Sequence, residues 1–220
     1  MINKDYILRI VEQTAKMVTT VLGLRQQNKP AEALAYLDNQ LQQTVGLSSS
    51  FINTLTEETL LQVFSPMGNI NTNSCLWAAS LLKAEGSVYE DIGNTTQSYY
   101  RYRKSLYLLI AAILHEPIDR DSELFQSADE LIDKLSAYEI PQALKQQIFA
   151  YYEHAGRYDK AENTLFELLE TTPTAQQVVE QGQSFYARLQ QKGVEDLQAG
   201  NFSLAEVAEG LEQLQAYPHA

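Results

Sequence analysis

Four turns of one form divide this chain and constrain its fold more than any other feature. They read Asn28-Lys-Pro-Ala-Glu-Ala33, Gly93-Asn-Thr-Thr-Gln-Ser98, Gly156-Arg-Tyr-Asp-Lys-Ala161 and Gly200-Asn-Phe-Ser-Leu-Ala205, each a Gly or Asn with a small residue five positions later. Gly and Asn tolerate the left-handed backbone that ends a helix, and a small residue lets the next helix approach closely. The pattern predicts tight helix pairs.

The flanking segments carry the matching periodicity. Ile7, Ile10, Val11, Thr14, Val18, Val21 and Leu22 recur at helical spacing from Asp5 to Gln27, which buries one stripe of an amphipathic helix. Pro30 suits the first turn of a second helix carrying Ala33, Leu34, Leu37 and Leu41, because its missing N–H costs nothing there. Gly46 to Ser50 reads as a polar break, and Thr56 caps a short helix through Phe64. Ser65 to Ser74 is the longest turn-rich segment. Further helices are predicted over Cys75 to Ile92, Thr95 to His115, Ser122 to Tyr138, Pro141 to His154 and Tyr158 to Thr171, then one long segment from Thr174 to Ala199, and Ser203 to Gln215. Ten Gly and six Pro leave little material for turn-rich β architecture.

The third turn and its flanks resemble the tetratricopeptide repeat, a helix-turn-helix of about 34 residues. Ile148, Tyr152, Gly156, Tyr158, Ala161, Leu165, Leu168 and Pro173 stand where that repeat places hydrophobic, Tyr, Gly, aromatic, Ala, large, medium and Pro residues; Phe149 departs, since a small residue is preferred there. The second turn keeps Leu82, Gly86, Tyr89, Gly93, Ser98, Tyr102 and Ser105, with polar Glu85 at a normally apolar place. The first turn keeps only Leu24, Ala33 and Leu37, and the fourth only Leu189, Gly193, Phe202 and Ala205. The turns are spaced too widely for a tandem array, so other helices fill the gaps. The run Asp5-Tyr-Ile-Leu-Arg-Ile-Val-Glu-Gln13, with Ile52-Asn-Thr-Leu55 and the turns, also resembles an uncharacterised family of bacterial tetratricopeptide-like proteins. The resemblance implies an all-α fold of antiparallel helix hairpins stacked in a right-handed array, and it brings no catalytic residues. The expected organisation is a single continuous helical-repeat domain over 1–220, with hairpins near 5–43, 75–115, 141–172 and 174–217 and extra helices near 56–65 and 122–138.

Charge limits the partners. Sixteen Lys and Arg against 28 Asp and Glu give a formal net charge of -12, a field that repels phosphate backbones and anionic lipids. Neither nucleic acid nor a membrane is expected as a partner. Residues Met1 to Arg9 carry three charges and no apolar signal region, and the longest apolar run, Leu106 to Leu114, is too short to span a bilayer. With Cys75 the only cysteine, a cytoplasmic protein is expected.

Reactive constellations are weak. Asp119, Asp121, Glu123 and Glu130 have the spacing of a calcium loop, but Leu124 takes the place of its turn-forming Gly and Gln126 follows; helix capping by Asp121 or Ser122 is the expected role. His115, His154 and His219 are too far apart in sequence to suggest zinc. His154 suits the dipole at a helix C-terminus. Cys75 is expected as a small buried hydrophobe. No phosphate loop, nucleophile elbow or metalloprotease signature occurs, so no cofactor, metal or catalytic residue is expected.

The segment Tyr99 to Tyr107 concentrates Arg101, Arg103 and Lys104 among four tyrosines. Tyr102 and Leu106 read as core, and the cations as a wet face pairing with acids of a neighbouring helix. The alternative is an anchor for a carboxylate or acidic peptide, since Arg forks bind carboxylates and Tyr adds stiff contact area. A hairpin groove would further expose Lys83, Ser87 and Glu90, then Gln146, Ala150 and Glu153. The expected function is a non-enzymatic module that binds a peptide or helix of a partner protein. Self-association as a homodimer through the first helix is the alternative, with an enzyme built on a carboxylate-lined pocket less favoured.

Overall fold

A computed structural model describes residues 2–171 and 175–215. Among them are twelve α-helices, one 3-10 turn and no strand. The chain forms two compact units, Met1–Glu139 and Ile140–Ala220. Pro173 and His219 lie outside the described residues.

The first unit holds α1 (Ile2–Gln26), α2 (Pro30–Val45), α3 (Ser49–Thr54), α4 (Glu57–Val63), α5 (Thr72–Asp91), α6 (Thr95–His115) and α7 (Glu123–Leu135). Helices α5 and α6 form its centre. They run past each other in opposite directions, since the Ser105 hydroxyl donates to the Ala79 carbonyl at 2.7 Å while Tyr102 covers Gly86 nearer the turn. A Cβ at Gly86 would overlap the Tyr102 ring, so Gly is what allows this approach. Helices α1 and α2 pack on α5, and α4 and α7 on α6. The α5 helix begins at Thr72, before the expected Cys75, because the Asn71 side chain accepts the Ser74 N–H and caps it.

The second unit holds α8 (Gln142–Ala155), α9 (Tyr158–Thr171), α10 (Ala175–Leu189), α11 (Val194–Ala199) and α12 (Leu204–Gln215). Its core joins Leu165, Leu168, Val178, Phe185, Tyr186, Leu197 and Leu214. Phe149, large where a repeat wants a small residue, is buried edge-on against Phe185 at 5.4 Å between centroids. The long helix expected to reach Ala199 instead stops at Leu189 and restarts at Val194 after the extended Gly193.

All four turns close in the same way. The left-handed residue donates to the carbonyl three back and its successor to the carbonyl five back: Asn28 and Lys29 to Arg25 and Leu24, Gly93 and Asn94 to Glu90 and Tyr89, Gly156 and Arg157 to Glu153 and Tyr152, Asn201 and Phe202 to Gln198 and Leu197. This pair of bonds satisfies carbonyls that a helix end leaves open. In the first three the small residue five positions on, Ala33, Ser98 or Ala161, is buried. The fourth is shifted by one residue. Its left-handed position is Asn201 at φ 55, and Ala205 is exposed while Val207 enters the core. Gly200 serves another purpose, because a Cβ there would overlap the Tyr158 ring and the Gly156 carbonyl oxygen. Its own carbonyl accepts the Tyr158 N–H at 3.2 Å, so two turns of this unit lie against each other.

Candidate functional site: a polar core cluster and an apolar groove

Helix α6 carries the basic segment, and its packing on α5 decides where each cation goes. Arg101 and Lys104 are each 4% exposed, which corrects the expected wet face. Arg101 Nε donates to Glu85 Oε2 at 2.7 Å, Nη2 to the Ser49 hydroxyl at 3.2 Å, and Nη1 to the side-chain oxygens of Asn53 and Gln97. Ser49 in turn donates to Glu85 at 2.8 Å, and its backbone N–H to Asp38. Burial pushes the Glu85 carboxyl above its ordinary range, opposed by Arg101 and Ser49. Glu85 is thus the counterion of Arg101. With its donors engaged, Arg101 has no fork to offer an outside carboxylate.

Arg103 pairs with Glu57 at 2.8 Å and lies over the rings of Tyr99 and Tyr100. Its Nη1 donates to the Tyr99 hydroxyl, which itself donates to the Glu139 carbonyl at 2.6 Å. Lys104 Nζ sits 5.8 Å from the centre of the Tyr100 ring, and burial first, then Arg103 and Arg101, hold its pKa below the ordinary lysine value against the pull of Glu57. Arg101 and Arg103 tie α6 to α3, α4 and α5.

Lys83 and Glu90 occupy a different face of α5. Lys83 Nζ donates to Glu130 at 2.6 Å and to Ser127 at 2.8 Å on α7. Glu90 accepts from Lys134 and from the Tyr102 hydroxyl. Although partial burial raises it, these two bonds bring the Glu90 pKa below its ordinary value. Beside Lys83 an open groove of roughly 270 Å³ runs between α1 and α7. Its floor is one stripe of α5, Leu76, Ser80, Ala84 and Ser87; α1 contributes Ile10, Val18 and Leu22, and α7 contributes Leu124. Leu22 remains 42% exposed, so the wall presents apolar surface to solvent. Lys83 and Ser87 line this groove and Glu90 does not, and no local pattern says that α1 and α7 flank α5.

Gln146 and Glu153 belong to α8 in the second unit, and Lys83, Glu90, Arg101, Arg103 and Lys104 to α5 and α6 in the first. Glu153 makes a paired contact with Arg188 of α10 at 2.6 and 2.8 Å. With Ala150 it borders a shallow depression floored by Phe149. Gln146 is half-buried and outside that depression.

The remaining candidates are placed as follows. Cys75 is fully buried and its thiol is pushed up to about 12 by burial. Glu123 opens α7 and Glu130 is held by Lys83; the Ser122 hydroxyl makes no cap bond, contrary to expectation. Among the described residues no group of three or more His, Cys, Asp or Glu could hold a metal ion, and no helix is long and apolar enough to cross a membrane.

No curated protein and no solved structure matches the chain. A family model described as a family of unknown function, DUF6483, matches residues 1–218. The chain therefore belongs to the DUF6483 family.

Proposed function

We propose that this protein is a non-enzymatic interaction module whose first unit seats the apolar face of a partner helix between α1 and α7, on the floor of α5. The observation that carries the reading is the groove itself, with aliphatic walls, a floor mixing Leu and Ala with Ser hydroxyls, and Lys83 at its edge. An amphipathic helix presents apolar residues at i, i+3 or i+4, and i+7, the spacing that such a trough receives. The net charge of -12 favours basic residues on the flanks of that helix. The same reading takes the α1–α2, α5–α6 and α8–α9 pairs as tetratricopeptide-like hairpins, supported by their shared turn geometry. It places the protein in the cytoplasm and assigns it no cofactor.

The test uses a library of displayed helical peptides selected against the full chain. Selected sequences are expected to share an apolar stripe with basic flanks and to lose binding to the Ser80→Trp variant, whose indole fills the floor. Selection of peptides without such a stripe, or equal binding by a correctly folded Ser80→Trp protein, removes the groove as the site.

A further inference from the structure

The charges of the three α6 cations do not balance within the chain. Glu85 neutralises Arg101, and Glu57 meets Arg103 at 2.8 Å. Lys104, 4% exposed, has neither a hydrogen bond nor an ion pair among the described residues. Its ammonium group has only the Tyr100 ring, whose centre is 5.8 Å away. The residues three and four positions along α6 in either direction are Tyr100, Arg101, Tyr107 and Leu108, none of them an acid. Arg103 is unsatisfied as well, because its Nε is buried and has no acceptor. Its guanidinium stands 5.6 Å from the centre of the same Tyr100 ring, so one tyrosine, itself 39% exposed, lies against both cations. A buried ammonium without a counterion is costly, and this chain holds 28 acids from which one could come. An uncompensated cation beside an orphan N–H points to an anion brought from outside the chain.

We propose that Lys104 and Arg103 form a binding site for a free, small monocarboxylate of the size of formate or acetate, which enters beside Tyr100. Charge selects the valence. Arg103 and Lys104 against Glu57 leave one positive charge, and a dianion such as sulfate would face Glu57 with one negative charge in excess. The unsatisfied groups select the shape, since an ammonium and an N–H call for an ion with two acceptor atoms, which a carboxylate has and chloride lacks. Burial selects the size. The Lys104 and Arg103 side chains, at 4% and 16% exposed, admit a free acid of two or three heavy atoms beyond the first oxygen but not the surface of a folded partner. Lys104, held below the ordinary lysine pKa chiefly by burial, regains its charged form when the anion binds. None of these residues lines the groove between α1 and α7, so the inference stands apart from the partner-helix reading.

The test compares the full-length wild type with Lys104→Met, which keeps the aliphatic stem and removes the charge. Both are melted in sodium formate, acetate, chloride and sulfate at equal ionic strength, and the anion effect is the difference between the two proteins in each salt, which cancels the general action of salts on folding. Formate and acetate are expected to raise the wild-type midpoint with saturation and to leave the variant unmoved, while chloride and sulfate separate the two proteins by neither sign nor saturation. In proton NMR the acetate methyl signal should broaden with the wild type, and Lys104→Met should weaken that binding at least about tenfold. In chloride the variant should melt at or above the wild type, because an uncompensated buried charge is gone. A variant that melts far below the wild type, or fails to fold, shows that Lys104 has its counterion within the chain and overturns the proposal. Absence of broadening with the wild type overturns it too, and a saturating effect of chloride or sulfate equal to that of acetate removes the carboxylate class. N-acetylglutamic acid α-amide carries the same carboxylate on a bulkier stem; displacement of acetate at equal concentration would assign the site to a protein side chain and remove the free acid.

Discussion

The two units of this chain bury polar groups by opposite strategies. In the first, a charged pair, Glu85 and Arg101, lies in the interior with Ser49, Asn53 and Gln97 completing its hydrogen bonds. The second relies on an aromatic and aliphatic core in which the fully buried Tyr186 donates to half-buried Glu162 at 2.6 Å. Its precision comes from glycines: Gly200 and Gly210 are places where a Cβ would collide with a neighbour, the latter with the Tyr186 ring and hydroxyl. A buried ion pair is costly to break by halves yet often dispensable as a whole. Glycine contacts behave differently, since each is a steric condition that no second substitution restores easily. The first unit should therefore show strong pairwise coupling at its ion pair beside the single-site intolerance of Gly86, and the second unit single-site intolerance at Gly200 and Gly210.

The largest effect is expected at Arg101. Replacing it with Met leaves Glu85 buried and uncompensated, which should cost about 3–5 kcal/mol in the first unit. The double variant Arg101→Met with Glu85→Leu should recover most of that loss. Trp77 on α5 is the only tryptophan, so its fluorescence in urea reports the first unit alone; a double variant no better than the single would show that the pair is not a closed unit. Next, Gly200→Ala should cost about 1–3 kcal/mol, since the Gly156 carbonyl is backbone and cannot step aside. The far-ultraviolet circular dichroism midpoint should fall while the Trp77 midpoint holds, and a shift in both would erase the contrast between the units.

A smaller effect is expected from pH. Burial, reinforced by Glu206 and Glu209, holds the Glu162 carboxyl above its ordinary range against the Tyr186 bond. A carboxyl raised on folding contributes stability that is present below the ordinary value of about 4.3 and lost as pH rises through its folded pKa. Lowering the pH from neutrality toward about 4 should therefore favour the second unit, and Glu162→Gln should flatten that response. Glu85 has the same sign in the first unit. Asp91, held down by its bond from Arg25, and Glu130, held down by Lys83, have the opposite sign: their contribution is present above the ordinary carboxylate range and is lost only at more acid pH. Thermal midpoints against pH for the wild type and the Gln variant would show it, and a parallel response would refute the assignment. The smallest effect belongs to Lys83→Met, where a half-exposed pair should cost less than about 1 kcal/mol and less again in high salt.

The helices were largely legible because their causes are local. Thr56, Pro30 and the left-handed Asn28, Gly93 and Gly156 act within a few residues of themselves, and the ends of α2, α4, α6 and α9 fall close to where those residues predict. The fourth turn differs by one residue because Gly200-Asn201 offers two candidates for the left-handed position, and Asn201 takes it while Gly200, at φ -89, lies where Tyr158 leaves no room for a Cβ. The sequence alone predicts the cations of α6 to face outward because an Arg or Lys on a helix is ordinarily solvated. Their inward turn depends on Ser49, Asn53 and Glu57, close to half a hundred residues away along the chain. The polar Glu85 was the available signal, and pairing it with Arg101 across the Gly93 turn would have found the cluster.

Cys75 gives the first unit a built-in clock. As the chain's only thiol, sealed within α5 and held in its protonated form by burial, it can react with an alkylating reagent only when that helix transiently opens. The modification rate in the native protein therefore measures how often the unit exposes its interior, well below the concentrations of urea that unfold it. Any ligand seated between α1 and α7 would slow that clock by holding the α5 floor closed, so occupancy could be timed without labelling the ligand.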